Sequence, residues 1–280
     1  MKGNSKLKLF LLLVVISTNG CLGACASIPN QVSEAQHLPR SSFVKYTHAS
    51  LVEVCEEKSK RCVKSEAASM SSGIFVRHSE VKKNHSYILT TGHSCQPIIE
   101  KQVKQGDMII TPIATQHRIE DWYGQRYLAQ VVRIDKKFDL CLLIVANVTG
   151  PRHAVPLAKH PAKLGEKVYN LAAPKGVFNK GMVLTFEGFF SGVGPSGSDF
   201  YSIPTKPGSS GSSIINNKGE IVGILFAGFP VMENIAVVVP LYAVKRFLKD
   251  TYAEGEMRLW NSLPPKEKDK TSMAWYKIFD

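Results

Sequence analysis

The sequence predicts an all-β protein built as two halves of similar size and closed by a single C-terminal helix. Three observations carry this. From Ser41 onward, short apolar runs rich in Val, Ile and Tyr recur with turn residues between them and no sustained helical period. A second such series begins near Ala154, after the break at Gly150-Pro151. Only after Pro240 does the period change, with Leu241, Val244, Phe247, Leu248 and Tyr252 on one helical face and proline at the first turn. Short strands at this spacing suggest barrels or sandwiches. A chain of 280 residues, 44% hydrophobic and 21% charged, has ample material for a core and excludes pervasive disorder.

The first residues stand apart from this pattern. Lys2, Lys6 and Lys8 precede the apolar run Leu9 to Ile16, and small residues follow, which is the layout of a secretory leader over 1–26. The run is too short for a permanent membrane span. Ala24-Cys25-Ala26 fits an A-x-A cleavage site, while Leu22-Gly23-Ala24-Cys25 resembles a bacterial lipobox whose cysteine becomes lipid-modified. Both readings send the chain out of the cytoplasm: an envelope or periplasmic lipoprotein anchored to the membrane through Cys25, or a secreted protein. Residues 27–40 are polar and irregular and read as a linker. The net charge of +12, less those three lysines, is +9, which favours anionic surfaces or acidic polypeptides. No nucleic-acid motif accompanies it, so nucleic acid is not an expected partner.

In the first half the strand-like runs are 43–46, 50–55, 73–77, 87–91, 108–112, 127–134 and 140–145. Cys55 and Cys62 flank the polar turn Glu56 to Arg61, a geometry suited to a hairpin disulfide in an oxidising compartment. The pairing of Cys95 and Cys141 is left open, and no spacing suggests a metal site. In the second half the runs are 168–171, 182–190, 200–203, 213–215, 221–226 and 235–239. The domain limits follow: a first half over 41–148, a second over 154–240, a closing helix over 241–252 and a charged tail over 253–280.

Chemistry is concentrated in one loop, Pro207-Gly208-Ser209-Ser210-Gly211-Ser212-Ser213. Small residues let the backbone turn tightly enough to aim successive N–H groups at one point, and a serine there presents its hydroxyl beside them. Such a hydroxyl needs a base, and the base needs an orienting acid. His93 follows the strand-like run 87–91 through Gly92, and Asp139 heads the wholly apolar run Leu140 to Val145, where a carboxylate is costly without a partner. Taken singly, His93 reads equally as a core histidine and Asp139 as a strand cap; together with Ser210 they form a triad in the order His, Asp, Ser.

At this point the chain resembles the chymotrypsin-fold serine proteases, and is most similar to the bacterial high-temperature-requirement (HtrA-type) branch, from about Ser71 to Leu248. SSGIFV with YILTTGHS resembles the histidine segment, RYLAQVVRIDKKFDLCLLIV the aspartate segment, and KPGSSGSSIINNKGEIVGI the nucleophile loop. PLAKHPAKLGEKVYNLAAPKG, GMVLTFEGFFSG and IAVVVPLYAVKRFL resemble the remainder of the second half. The resemblance implies two six-stranded antiparallel β-barrels with a C-terminal helix. It also implies a Ser210 nucleophile, a His93 base, an Asp139 orienting acid and an oxyanion hole from the loop Gly208, Ser209, Ser210, chiefly the N–H groups of Gly208 and Ser210. No cofactor or metal is implied, and the expected partners are unfolded or flexible polypeptide substrates. Nothing resembling a PDZ domain follows Leu248.

This loop departs from the family's usual pattern in having Ser209 before the nucleophile and Ser212 at a position where glycine is usual. Thr91-Gly92 also replaces the usual residues before the base. By position the primary specificity pocket lies between Ile203–Lys206 and Leu225–Gly228, segments without an acidic residue, which points to a small or medium apolar side chain. The rival function is a catalytically silent protease-fold scaffold of the envelope. An α/β-hydrolase is excluded because its elbow would need glycine at 212 and alternating strand-helix units.

Overall fold

The computed structural model describes residues 37–76, 85–146, 148, 154–229 and 231–262, without the side chains of 85 and 255–262. The leader, Cys25, most of the linker and most of the connection 147–153 lie outside the described residues. The first half contains β1 (Phe43–Glu56), β2 (Cys62–Val76), β3 (His85–Thr91), a short α1 (Gly92–Cys95), β4 (Val103–Gln105), β5 (Met108–Asp121), β6 (Arg126–Asp135) and β7 (Leu140–Ala146). All pairings are antiparallel in the order β1-β2-β3-β7-β6-β5, and β1 pairs with β5 to close a six-stranded barrel to which β4 adds a short outer strand.

The second half contains β8 (Lys167–Ala172), β9 (Phe178–Asn179), β10 (Met182–Val193), β11 (Asp199–Tyr201), β12 (Ser213–Ile215), β13 (Ile221–Phe229) and β14 (Met232–Pro240). Its order is β11-β14-β13-β12-β8-β10, closed by the pairing of β11 with β10, with β9 appended to β10. This is the chymotrypsin-like pair of closed six-stranded antiparallel barrels. The chain then enters α2 (Leu241–Ser262), which continues past the expected closing helix 241–252 into the segment expected to be a tail.

Where the strands differ from the sequence pattern, the cause is local. The runs 43–46 and 50–55 are one strand, because Thr47 to Ala49 contain no turn former and His48 and Ser50 point into the protein. The outer part of β2 was not legible because residues 62–70 are almost wholly exposed; its backbone pairs with β1 instead, Cys55 opposite Cys62. β5 passes through Pro112, and the ladder to β1 shifts there, Val52 facing Pro112 and Leu51 facing Ala114. A proline cannot donate to the ladder, so an irregularity at that point accommodates it.

Each barrel has its own interior. In the first, Val44, Tyr46, Phe75, Ile88, Ile119, Cys141 and Leu143 are packed together. In the second, Val168, Tyr201, Ile203, Ile214, Leu225 and Val238 do the same. A third cluster joins them: Ile74, Leu89, Leu140 and Leu142 from the first barrel meet Leu171, Ile215, Ile224 and Val239 from the second, and Val244, Phe247 and Leu248 of α2. These side chains are all but inaccessible to water. At about 1.5–3 kcal/mol for each large apolar side chain buried, this seam fixes the barrels against each other.

Beneath α1 lies a polar inclusion. The Tyr46 hydroxyl meets His117 Nδ1 at 2.6 Å and the Ser94 carbonyl at 3.1 Å, and the rings of His48 and His117 stack with centroids 4.9 Å apart. Burial, with the neighbouring His48 adding to it, lowers the His117 pKa to about 4. Between about pH 6.5 and pH 4 the unfolded chain therefore binds a proton at this histidine that the folded chain refuses, so stability falls as the pH falls through that window. Asp199, raised by burial to about 6, acts in the opposite direction over an overlapping range. The expected outcome is that His117→Gln melts with a shallower loss of Tm than the unaltered protein between pH 6.5 and pH 4, measured by circular dichroism; parallel curves would refute it.

Candidate active site

His93 and Asp139 meet because their strands are neighbours. β3 pairs with β7 so that Thr91 lies opposite Leu140, which sets the residues just past one strand beside those just before the other. His93 Nδ1 lies 2.6 Å from Asp139 Oδ2, and the His93 backbone N–H donates to Asp139 Oδ1 at 2.6 Å. The Gly92 N–H donates to the Asp139 carbonyl at 2.9 Å. Asp139 adopts φ 53°, a left-handed conformation uncommon outside glycine, after a turn in which Asp135 Oδ1 accepts the N–H groups of Lys137 and Phe138. Glycine at 92 has a steric reason, since a Cβ there would lie 2.9 Å from Asp139 Oδ1. The carboxylate thus grips both the ring and the backbone of the histidine, which sets the ring's orientation and places Nδ1 as the donor nitrogen.

A covalent clamp lies directly behind this pair. Cys95, two residues beyond His93, is joined to Cys141, two residues beyond Asp139, with an S–S distance of 2.07 Å. Both cysteines are buried in the first barrel. Cys55 and Cys62 form the second disulfide, S–S 2.05 Å, across the tip of the β1–β2 hairpin. Glu53 comes close enough to those two sulfurs to suggest a metal site, but disulfide sulfurs are not thiolate ligands.

Ser210 belongs to the second barrel, in the loop between β11 and β12, yet its position is set by the first. The Ser72 N–H donates to the Ser210 carbonyl at 2.8 Å, and the Ser72 hydroxyl donates to the Gly208 carbonyl at 2.9 Å. That same hydroxyl accepts the Ala173 N–H at 2.9 Å, and the Thr90 hydroxyl donates to the Ser72 carbonyl at 2.8 Å. The contact is so close that a Cβ on Gly211, at φ 83°, would lie 2.1 Å from the Ser72 carbonyl oxygen and 2.2 Å from Thr90 Oγ1. Thr90 is three residues from His93, so the loop rests on the strand that delivers the histidine. Ser72 was not singled out in the sequence, where it is one serine in the polar stretch Ser69 to Ser72.

Within the loop the groups divide their tasks. The Ser209 N–H donates to the Lys206 carbonyl at 2.9 Å and the Lys206 N–H meets Ser209 Oγ at 3.4 Å, so Ser209 is buried and occupied in closing the turn. Of the three expected oxyanion residues, this leaves the N–H groups of Gly208 and Ser210, which have no acceptor among the described residues. Gly208 adopts φ 98°, and a Cβ there would lie 2.7 Å from the Ala173 carbonyl oxygen. Ser212 is fully buried and accepts a 2.7 Å hydrogen bond from Asn170 Nδ2, which gives its hydroxyl a partner at a position where glycine is usual. Among the described residues the Ser210 hydroxyl bonds the Phe226 carbonyl, at 3.3 Å, and not His93.

The segments expected to line the specificity pocket touch each other. A Cβ on Gly228 would lie 2.2 Å from Thr205 Oγ1. The Thr205 N–H donates to the Glu233 carbonyl at 2.8 Å, and Lys206 and Glu233 form an ion pair.

A family model of the trypsin-like peptidase domain matches residues 71–224. No curated protein matches the sequence significantly. Among solved structures, the serine endoprotease from Yersinia pestis superposes with a TM-score of 0.57 at 18% identity, over 81% of this chain and 69% of that one, a likeness of fold. The family match spans more than half of the chain, from β2 through the Ser210 loop to β13, and with the two closed barrels it establishes that the chain belongs to the trypsin-like peptidase domain family.

Proposed function

We propose that the chain is an exported serine endopeptidase that cleaves polypeptides through Ser210, His93 and Asp139. The observation that carries this is the double grip of Asp139 on His93, in a strand pair against which the Ser210 loop is pinned. In the reaction Ser210 Oγ turns from the Phe226 carbonyl toward His93 Nε2, gives up its proton and attacks the scissile carbonyl carbon. The oxygen of the tetrahedral adduct receives the N–H groups of Gly208 and Ser210, a contribution typically worth two to three orders of magnitude in rate. His93 then hands the proton to the departing amine, leaving an acyl-Ser210 ester; a water, deprotonated by His93, attacks that ester, and His93 returns the proton to Ser210 Oγ as the acid departs. Asp139 stabilises the imidazolium throughout without taking the proton.

Export is supported by the leader pattern and by two disulfides, which persist in oxidising compartments. The expected setting is the periplasm or envelope, with anchoring through a lipidated Cys25 or secretion as the alternatives. One observation favours the silent-scaffold reading: the bond of the Ser210 hydroxyl to Phe226 rather than to His93. Hydrogen bonds of this kind tighten only on substrate binding in many hydrolases, so the reading is decided by reactivity.

A fluorophosphonate probe should label the folded protein, lose all labelling in Ser210→Ala and most of it in His93→Ala; a folded protein that neither labels nor cleaves casein is the scaffold. Ser72→Ala strands the Gly208 carbonyl and the Ala173 N–H, at about 1–3 kcal/mol for a buried group, so labelling should slow by about tenfold or more. The adjacent Ser71 hydroxyl is buried without a partner among the described residues, and Ser71→Ala should leave the rate unchanged. Equal rates in the two variants would remove Ser72 from the site. The contact between Thr205 and Gly228 favours a small residue at the cleaved bond. Thr205→Ala should accordingly raise kcat/KM for a Leu over an Ala substrate by about tenfold, read with paired fluorogenic peptides.

A further inference from the structure

A cavity of about 390 Å³ opens on the second barrel between β10, β11 and the first turn of α2, and shares no residue with the triad or the loop that holds Ser210. Phe190, Val193, Leu241 and Tyr242 give it apolar walls. One acidic residue lines it, Asp199, which is only 5% exposed. Among the described residues this carboxyl has neither a hydrogen bond nor an ion pair. Lys159 and Lys245 also line the cavity, but the Lys245 ammonium donates to the Lys159 carbonyl at 2.9 Å. Burial alone raises the Asp199 pKa to about 6, with no cation offsetting it.

An ionised carboxylate among apolar walls is costly unless a cation meets it, and water or an amide in its place would leave the walls unfilled. What fits both parts is an apolar stem ending in a positive head. The volume lies at the small end of the range for ligand sites, enough for one long side chain rather than a folded partner. We propose that this cavity binds a Lys or Arg side chain of a polypeptide, its stem against Phe190 and Leu241 and its head on Asp199. That the polypeptide is a substrate rests on the endopeptidase reading; the binding itself does not.

The titratable groups around Asp199 are Tyr201 on its own strand and, sharing the cavity, Lys159 ahead of the second barrel and Tyr242 and Lys245 on α2. Tyr201 is pushed further up by burial and by the Asp199 charge, so it stays neutral over the working range. Binding should therefore weaken as the pH falls below about 6, as Asp199 itself takes a proton.

The test is a fluorescence titration of the full chain with p-aminobenzamidine, which carries an amidinium on an apolar ring. Saturable binding should survive fluorophosphonate treatment, weaken about tenfold or more in Asp199→Asn, and be weaker for the neutral p-aminobenzamide. Val193→Trp, at a position 66% exposed, should block the mouth without touching the carboxyl, and it keeps the test decisive if Asp199→Asn does not fold. Absence of saturable binding, or equal binding in the variants, overturns the proposal; the former is the result expected if Lys159 or Lys245 occupies Asp199 in solution. Loss of binding on fluorophosphonate treatment also overturns it, by assigning the probe to the catalytic cleft. A chain that binds the probe through Asp199 but never labels retains this site and loses only the endopeptidase reading.

Discussion

The candidate site depends on the backbone and hydroxyl of Ser72. The two barrels are separate closed sheets, and each donates part of the candidate site: His93 and Asp139 from the first, Ser210 and the backbone N–H groups of Gly208 and Ser210 from the second. Apolar packing along their seam is non-directional and fixes a separation, not a register. Ser72 supplies the register, because three hydrogen bonds from one residue tie the Ser210 and Gly208 carbonyls and the Ala173 N–H to the first barrel. Gly211 then has to be glycine, since the approach leaves no space for a Cβ. Among the described residues the N–H groups of Gly208 and Ser210 meet no acceptor, while the carbonyls of the same two residues are held by Ser72.

The His93–Asp139 pair is held by a different device. Adjacent antiparallel strands bring the two residues together, and α1, a single helical turn, has little stability of its own. It is retained by the Asp139 carboxylate, by Tyr46 from below and by the Cys95–Cys141 bridge, which closes a loop of 46 residues. Restricting a loop of that length disfavours the unfolded chain by about 4 kcal/mol in the chain-entropy account. The bridge also spans the two backbone segments whose separation determines the ring-to-carboxylate distance.

Charge is distributed to separate roles. The chain is strongly basic, yet the segments expected to line the specificity pocket carry no acid, and Lys206 there is paired with Glu233. A buried carboxyl without a partner among the described residues lies elsewhere, at Asp199 beside α2. The segments 203–206 and 225–228 thus offer a basic side chain no acidic residue, whereas Asp199 lies at a second place on the same barrel.

Much of this was legible in the sequence for physical reasons. A buried strand must be apolar, so runs such as Leu140 to Val145 declare themselves, and a tight turn must be built from small residues, so Gly208 to Ser213 stands out. The order of His93, Asp139 and Ser210 at strand ends was readable for the same reason. Exposed pairing was not: residues 62–70 form half of a long hairpin through backbone bonds that leave no mark on side-chain pattern. Nor could spacing reveal that Ser209 is occupied in the turn, that Ser212 bonds Asn170, or that Cys95 meets Cys141, because each depends on a partner distant in the chain. The sequence by itself determined most of the buried strands, the start of the helix and which residues make up the candidate site, all of which are local requirements of burial and turn geometry. Only the tertiary structure decided which serine ties the barrels together and which aspartate lacks a partner among the described residues, since hydrogen bonds and desolvation are settled by what the fold brings within about 3 Å.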